Sequence, residues 1–435
     1  MPTSASSVVP ARPASFAPGT PLLVQKFGGS SMASAAKIAQ VAAIVAASAQ
    51  VQPTVAVVSA MGKTTDALVA LANELHTAPS GREYDMLLAT GEMVSASLLA
   101  LHLQQLGYKA VALTGQQAGI TTEDLHNRAR IKCIDPSAVQ RWLNEGYIVV
   151  VTGFQGGNSQ QAFTTLGRGG SDTSAVALAG ALKARCCDIY TDVRGVYSTD
   201  PRVAPAAQPL AQVAYIEMME LARLGAKVLH PRSVEAAQHW NIPVRVRSTF
   251  HLEDEGTLVV SDAEQQGQNS RAIAGVACDK NQARVAVVGL PDEPGSAAKV
   301  FTRLAKAGIS VDMIIQSLGS DGLTNDIAFT VNTWDVQNAA GLMQSLLADL
   351  NAKAVLMDEA IAKVSIVGVG MIDRPGIAAA MFEALATAGI NIKMIATSEI
   401  KISVLVEAAL ADEAVRTLHK AFFEDEANPL LQPVG

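Results

Sequence analysis

Short apolar runs followed by helical stretches recur along the first half of the chain. Leu22–Lys26 is the first such run, and after a glycine turn Ile38, Val41 and Val45 recur at helical spacing. Further runs that lead into polar or glycine-rich loops are Thr54–Ser59, Ala110–Thr114, Ile148–Thr152 and Asp188–Thr191, and a last strand is expected at Val244–Ser248. Strands that alternate with helices predict an α/β fold with a mostly parallel sheet between helices. Ligands of such sheets bind at the carboxyl ends of the strands.

The last third of the chain contains an internal repeat. Arg284–Gly289 matches Lys363–Gly368, and each run is followed by a Pro-Gly pair and then by a Gly-Ile pair. Each copy predicts the order βαββα, which lacks one strand of a ferredoxin-like βαββαβ unit. Ala352–Met357 can supply this strand to the first repeat, and Ile273–Ala277 can supply it to the second. We therefore expect repeat one to be inserted within repeat two.

These patterns predict four regions. Residues 1–21, rich in Ser, Ala and Pro, are expected to be a disordered tail, because a single arginine is little support for a transit peptide. A main α/β domain is expected over 22–252, a polar linker over 253–270 and the paired repeats over 271–435. Repeat one is placed at about 283–358, and repeat two at about 271–278 plus 361–423.

Composition narrows the class of protein. The chain has 435 residues, of which 49% are hydrophobic and 17% charged, with a net charge of −7. This balance favours large cores and argues against binding to nucleic acid or to an anionic membrane. Apolar runs fall short of the about 18 residues that span a bilayer, so a cytoplasmic protein is expected. The four cysteines show no metal-ligand spacing and are expected to be reduced thiols: Cys133, Cys186, Cys187 and Cys278.

Two glycine-rich loops carry the candidate chemistry. Gly167–Thr173 combines an arginine, an aspartate, hydroxyls and three glycines at a predicted helix start, where free N–H groups attract anions. Lys26 ends a strand beside Gly28 and Gly29, where its charge and the loop amides can hold phosphate. Together they predict a site for an anionic substrate.

Two other glycine-containing segments do not match the nucleotide-binding motifs that they resemble. Gly62-Lys63-Thr64 resembles the end of a P-loop, but Val57 stands where that motif needs its first glycine. Gly368-Val-Gly370 suggests a dinucleotide fingerprint, but Asp373 stands at the third glycine position and the segment belongs to the repeat.

Six blocks of sequence together resemble the aspartate kinases of the amino-acid kinase family, and the two repeats resemble paired ACT domains. The likeness runs from about Leu22 to nearly the C-terminus. The blocks are Lys26–Ser31, Val58–Asp66, Met86–Glu92, Thr164–Thr173, Tyr190–Arg202 and Gly225–Pro231.

The resemblance implies transfer of the γ-phosphoryl group of MgATP to the β-carboxylate of L-aspartate. A carboxylate is already nucleophilic at neutral pH, so the enzyme needs positioning and charge neutralisation rather than a general base. Lys26 and Asp172 are then expected to be catalytic, with Asp172 orienting Lys26 or holding Mg²⁺. Arg168 would clamp the α-carboxylate of aspartate and Glu92 would take its ammonium group. Other residues expected to shape the aspartate pocket are Ser59, Thr65, Phe154 and Ser171.

The resemblance also implies a nucleotide site and an effector site. Nucleotide contacts are expected from Lys26, Gly28, Gly29, Thr191, Asp192, Tyr197, Arg202 and Lys227. ACT domains imply an amino-acid effector, lysine or threonine or both, with candidate contacts at Asp292, Gly295, Asp312, Gln316, Asn391 and Ile392. A homo-oligomer, a dimer or a dimer of dimers, is expected to assemble through the ACT domains.

Two other functions remain open at this stage. Another carboxylate-directed amino-acid kinase, such as one for acetylglutamate, would present no ammonium group to Glu92. A catalytically inactive amino-acid sensor would have no need to keep Lys26, Arg168 and Asp172.

Overall fold

The computed structural model describes residues 16, 17, 19–226, 228–261, 264, 272–319, 324–372 and 374–424. These residues form two compact units. The first takes in the described residues of Met1–Val196, Pro209–Arg223 and Lys227–Gln268. The second takes in those of Tyr197–Gln208, Leu224–Ala226 and Asn269–Gly435.

The first unit is built from strands and helices that largely alternate. Its strands are β1 (Leu23–Phe27), β2 (Thr54–Val58), β3 (Ala110–Leu113), β4 (Ile120–Thr122), β5 (Ile131–Ile134), β6 (Ile148–Thr152), β7 (Gln155–Gly157), β8 (Phe163–Thr165), β9 (Cys186–Thr191), β10 (Gln212–Ala214), β11 (Val244–Ser248) and β12 (Thr257–Val260). Its helices are α1 (Ala35–Val51), α2 (Thr64–Leu75), α3 (Arg82–Gln105), α4 (Ser137–Asn144), α5 (Gly170–Ala181), α6 (Tyr215–Arg223) and α7 (Pro231–Trp240).

Eight of these strands form the main sheet, in the order β10-β12-β11-β9-β1-β2-β6-β3. β1 pairs in parallel with both β2 and β9, and all five of its residues are buried. Strands of this kind, buried on both faces, read as continuous apolar runs rather than alternating ones. The predicted α/β class with a mostly parallel sheet is therefore confirmed.

Two structural features cross the regions expected from the sequence. The segment expected to be a linker contains β12, which pairs antiparallel with β11 and parallel with β10. Its Thr-Leu-Val-Val run is a short strand signal that the polar residues on either side concealed. In addition, Tyr197–Gln208 folds within the second unit: the Val276 amide donates to the Ser198 carbonyl at 2.7 Å, and Ser198 Oγ lies 2.9 Å from His419 Nε2.

A small second sheet in the first unit was not predicted. Its order is β5-β4-β7-β8, and its strands are only three or four residues long. Runs this short give almost no periodicity in the sequence. The sheet matters for the site because β8 ends at Thr165, two residues before Gly167, the first residue of the Gly167–Thr173 loop.

The longest described helix of the first unit is α3, with 24 residues. By length and hydropathy it is the one described helix that has the properties of a membrane span, although a buried core helix has them too. One face is buried, including Leu88, Leu99 and Leu103, and it packs against the sheet and α1. The same face carries two buried carboxylates, Asp85 and Glu92.

The second unit contains the repeats. Its strands are β13 (Gly275–Asp279), β14 (Gln282–Pro291), β15 (Ile314–Leu318), β16 (Thr324–Asn332), β17 (Ala354–Asp358), β18 (Ile361–Val367), β19 (Met394–Ser398) and β20 (Lys401–Glu407). Its α-helices are α8 (Ser296–Lys306), α9 (Val336–Ser345), α10 (Leu347–Leu350), α11 (Ile377–Thr387) and α12 (Ala411–His419).

The repeats form two antiparallel four-stranded sheets, β15-β16-β14-β17 and β13-β18-β20-β19. Each has its own apolar core, and both match the predicted ACT architecture. β13 precedes repeat one in sequence but pairs with β18 of repeat two. The exact domain boundaries given above stay a prediction.

Candidate active site

Four adjacent parallel strands, β9, β1, β2 and β6, bring their following loops to one edge of the main sheet. Those loops begin with Asp192, Gly28, Ser59 and Gly153. The Ser59 amide donates to the Phe27 carbonyl at 3.1 Å, so the start of the loop after β2 is joined to the last residue of β1. The carboxyl edge of the sheet therefore holds the candidate site, as the strand order predicts.

An ion pair lies at the centre of this edge. Lys26 Nζ is 2.5 Å from Asp172 Oδ1, and the two side chains are 10% and 14% exposed. Lys26 comes from the end of β1 and Asp172 from the first turn of α5, where a carboxylate is favoured by the helix dipole. The structure thus brings together the two residues expected to be catalytic.

The two loop glycines beside Lys26 are not equivalent. A Cβ on Gly28 would lie 3.6 Å from Lys26 Nζ, so the backbone passes close to the ammonium group. The Gly28 amide already donates to the Tyr190 carbonyl at 3.2 Å. Among the described residues the Gly29 amide has no such partner, so of the two it is the one able to receive a phosphate oxygen.

The turn that carries Arg168 requires glycine on both sides. Gly167 and Gly169 have φ values of +74° and +72°, in the left-handed region that disfavours other residues. A Cβ on Gly169 would also lie 2.2 Å from Cγ of His230. Burial, followed by the charge of Arg232, lowers the pKa of His230. The sequence assigned no role to His230, yet it packs directly against the Gly167–Thr173 loop.

Phe154 and Ser171 close the other side of the loop. Phe154 has a φ of +67°, which is unusual for a non-glycine residue. Its amide donates a hydrogen bond to Ser174 Oγ at 3.1 Å, which helps to hold this conformation. A Cβ on Gly153 would lie 2.8 Å from Cβ of Ser171. The strained residue and the close approach place the loop after β6 in contact with α5 at the predicted pocket.

Glu92 is a buried carboxylate with one free oxygen. The residue is 3% exposed, its Oε1 accepts a hydrogen bond from the Ala60 amide at 3.0 Å, and Oε2 has no partner among the described residues. Burial raises the pKa of Glu92 to about 7. A buried acceptor left without a donor is costly, so an ammonium group at Oε2 would relieve this cost.

Arg168 differs from Glu92 in being exposed, and among the described residues no hydrogen bond or ion pair holds its guanidinium. Ser59 and Thr65 are half-buried, at the end of β2 and in the first turn of α2. Arg168 is therefore a cation available to an incoming carboxylate.

The expected nucleotide residues are divided. Thr191 ends β9 in the first unit and Asp192 follows it, with Thr191 Oγ1 donating to Asp192 Oδ1 at 3.1 Å. Tyr197 and Arg202 are part of the second unit, where Arg202 pairs with Asp200 at 2.7 Å. Lys227 lies outside the described residues.

The expected effector residues lie in both repeats. Asp292 accepts a hydrogen bond from Asn325 at 2.6 Å, and Gly295, with φ +101°, precedes α8. Asp312 is ion-paired with the buried Lys363 of the other repeat. Gln316 and Asn391 are exposed, and Ile392 packs against the core of repeat two.

Comparison with known proteins agrees with this geometry. The amino acid kinase family model matches residues 21–248, and an ACT domain model matches residues 285–344 and 364–422. The chain is 49% identical over 402 residues to an aspartokinase of Bacillus sp. strain MGA3, covering 92% of this chain and 97% of the relative. The chain belongs to the aspartokinase family. It is therefore an enzyme with aspartokinase activity, and that prediction is confirmed.

Other relatives extend the comparison. The aspartokinase of Corynebacterium glutamicum is 47% identical over 413 residues, covering 93% of this chain and 98% of its own length. The crystal structure of E. coli aspartokinase III in complex with aspartate and ADP superposes with a TM-score of 0.75 at 30% identity, covering 92% of this chain and all of that one. The same enzyme in complex with lysine and aspartate, in its T-state, gives a TM-score of 0.73 at 31% identity, covering 92% and 99%.

Glu92 generates a prediction about pH. Because burial raises its pKa to about 7, the carboxyl group is mostly neutral at pH 6 and mostly ionised at pH 8. If it binds an ammonium group, the KM for aspartate should fall about tenfold between these pH values in steady-state assays. Glu92→Gln should raise this KM and remove its pH dependence.

Glu83→Gln is a matched control, because Glu83 lies on the same helix but its side chain is 81% exposed. It should behave as the wild type. A flat pH profile of the wild-type KM, or the same slope in Glu92→Gln, would show that Glu92 does not hold the ammonium group.

Proposed function

We propose that this enzyme phosphorylates the β-carboxylate of L-aspartate with ATP, holding aspartate between Glu92 and Arg168. The observation that carries the proposal is that, within the part of the chain that the structure describes, a buried carboxylate oxygen of Glu92 has no donor and the exposed guanidinium of Arg168 has no acceptor. An α-amino acid supplies the missing ammonium group and carboxylate. Support comes from E. coli aspartokinase III, which is known in complex with aspartate and ADP.

Lys26 and Asp172 act at the transferring group in this proposal. The β-carboxylate of aspartate is ionised at neutral pH and attacks the γ-phosphorus directly, giving an acyl phosphate and ADP. Lys26 neutralises charge that spreads over the phosphoryl oxygens, and Asp172 fixes its ammonium group from 2.5 Å. The Gly29 amide adds a hydrogen-bond donor at the same place.

Magnesium fits this arrangement as a companion of ATP. Mg²⁺ in kinase sites is bound by one or two carboxylates together with substrate phosphates. Within the described residues no cluster of three potential ligand side chains occurs, and Asp172 is the carboxylate at the centre of the site. When bound, the ion would screen the phosphate charges. Asp172 would then hold both Lys26 and the ion.

The division of roles is tested by two substitutions. Arg168→Ala should raise the KM for aspartate by about 30- to 100-fold, the cost of a lost charge-assisted contact, with little change in the KM for ATP. Asp172→Ala should lower kcat by about 100-fold or more, because the transition state loses a preorganised charge. The acyl phosphate is measured as its hydroxamate after trapping with hydroxylamine.

Arg223→Ala is the control for Arg168, since Arg223 is an exposed arginine on α6. Its kinetics should match the wild type. No hydroxamate from aspartate and MgATP would overturn the proposed reaction. An increase in the KM for ATP alone, in both variants, would overturn only the assigned roles.

We infer that the paired repeats bind lysine, threonine or both as feedback effectors. Asp292 and Gly295 lead into α8, whose N-terminus favours a carboxylate, and exposed Gln316 and Asn391 offer polar contacts. Lysine is present in the T-state structure of E. coli aspartokinase III. Asp312 is an effector contact only if it exchanges its ion pair with Lys363.

Gln316→Ala tests this assignment in the full-length enzyme. Loss of one side-chain hydrogen bond should raise the half-inhibitory effector concentration about fivefold. Gln344→Ala removes the same side chain from an exposed position on α9 and should leave inhibition unchanged. Equal inhibition of the wild type and Gln316→Ala by both amino acids would exclude Gln316 as a contact.

Assembly through the ACT domains is also proposed, as a dimer or a dimer of dimers. β15 and β17 are the edges of one sheet, and β19 is an edge of the other. These edges expose apolar side chains, namely Ile314, Leu318, Leu356, Met357 and Ile395. Edge strands with such side chains pair readily with another chain.

Leu318→Lys should therefore reduce the mass measured by light scattering, because it places a charge on the exposed edge of β15. Leu75→Lys, at an exposed site that ends α2, is the control and should leave the mass unchanged. An unchanged mass in Leu318→Lys would remove β15 from the proposed interface.

A further inference from the structure

Asp85 is a buried carboxylate that has no role in the proposed chemistry. It lies in the first turn of α3 and is fully buried. Thr165 Oγ1 donates to its Oδ1 at 2.5 Å, the Asn127 amide donates to both oxygens at 3.0 and 3.1 Å, and His126 Nδ1 lies 2.8 Å from Oδ2. Such a group is tolerated in a protein interior because its oxygens are hydrogen-bonded.

These contacts join three segments that are distant in sequence. They are the start of α3, the loop at residues 126–129 and the end of β8. The loop and β8 are also joined through the backbone, since the Ala129 amide donates to the Thr165 carbonyl at 2.9 Å. The carboxylate of Asp85 is therefore the point at which helix, loop and strand meet.

The joined segments border the turn that presents Arg168. Thr165 precedes Gly167 by two residues, and a Cβ on Gly167 would lie only 3.2 Å from the Asn127 carbonyl oxygen. Arg232 also joins the loop to the residue after β8, because its guanidinium donates to the carbonyls of Leu166 and Ala129. A shift of this loop or strand would therefore shift the turn.

The same helix carries Glu92, which follows Asp85 by seven residues and is buried on the same face. At a rise of 1.5 Å per residue the two positions are about 10 Å apart along a rigid rod. The N-terminal half of α3 thus carries both groups: Asp85 in its first turn anchors the turn that carries the proposed carboxylate clamp, and Glu92, about two turns further along, is the proposed acceptor of the ammonium group.

We propose that Asp85 is a positioning residue for recognition of the amino-acid substrate. Through Thr165 and Asn127 it fixes the Arg168 turn relative to Glu92, so that α3 sets the spacing between the two groups that read the α-amino acid. The proposal rests on the roles assigned above to Arg168 and Glu92. It predicts a defect in the use of aspartate and not in the use of ATP.

Asp85→Asn is the first test, because it removes the charge and one acceptor at nearly constant volume. We expect the KM for aspartate to rise at least about fivefold, with kcat and the KM for ATP within about twofold of wild type. Asp188→Asn is the matched control. Asp188 is equally buried, but its partner is Arg245 on β11. It should lower the melting temperature without raising the KM for aspartate.

Thr165 gives a second test that does not depend on Asp85→Asn folding. Thr165→Val keeps the shape of the side chain but removes the hydroxyl donor, so the KM for aspartate should rise. Thr165→Ser restores the donor and should restore the KM. If Thr165→Val and Asp85→Asn both keep the wild-type KM for aspartate, or if Thr165→Ser is as impaired as Thr165→Val, the proposal fails.

A double-mutant cycle separates positioning from general damage. In the Arg168→Ala background, Asp85→Asn should change the KM for aspartate less than twofold, because the group that it positions is gone. Additive effects would overturn the proposal. If Arg168→Ala itself does not raise the KM for aspartate, the role assigned to Arg168 is wrong. That outcome differs from one in which Arg168→Ala raises this KM and Asp85→Asn does not, which would overturn only the role of Asp85.

Discussion

The ion pair between Lys26 and Asp172 is the interaction on which the site depends. Lys26 is the last residue but one of a central strand of the main sheet, and Asp172 lies in the first turn of α5, which packs on that strand. A pair with so little exposure is stable only when both charges keep a partner. The loops after β1 and β8 are therefore held at a fixed separation, and Gly167 and Gly169 in the loop after β8 adopt conformations that glycine tolerates most easily.

The central strands and the main residues of the candidate site could be predicted from the sequence, because each is marked by a strong local pattern. Continuous apolar runs before glycine loops predicted the central strands, and the density of charged and hydroxyl groups singled out Gly167–Thr173. The family resemblance supplied the partners of that loop. Lys26 and Asp172, far apart in sequence, are indeed in contact.

Other features had no comparable signal. The small sheet is made of strands too short for periodicity, and β12 is concealed by polar neighbours. His230 acts on Gly169 through shape alone, and Asp85 gains its importance only from partners about 40 and 80 residues away. Burial of a carboxylate cannot be read from an aspartate in a helix, because most such residues are solvated.

The inclusion of Tyr197–Gln208 in the second unit has a consequence for recombining domains. The second unit is discontinuous in sequence, and Ser198 is hydrogen-bonded to Val276 of β13 and to His419 of α12. A chimera that exchanged only the residues after 270 would place a foreign β13 and α12 against the native Ser198 segment. A functional exchange of effector specificity between relatives therefore requires that this short internal segment travel with the C-terminal part of the chain.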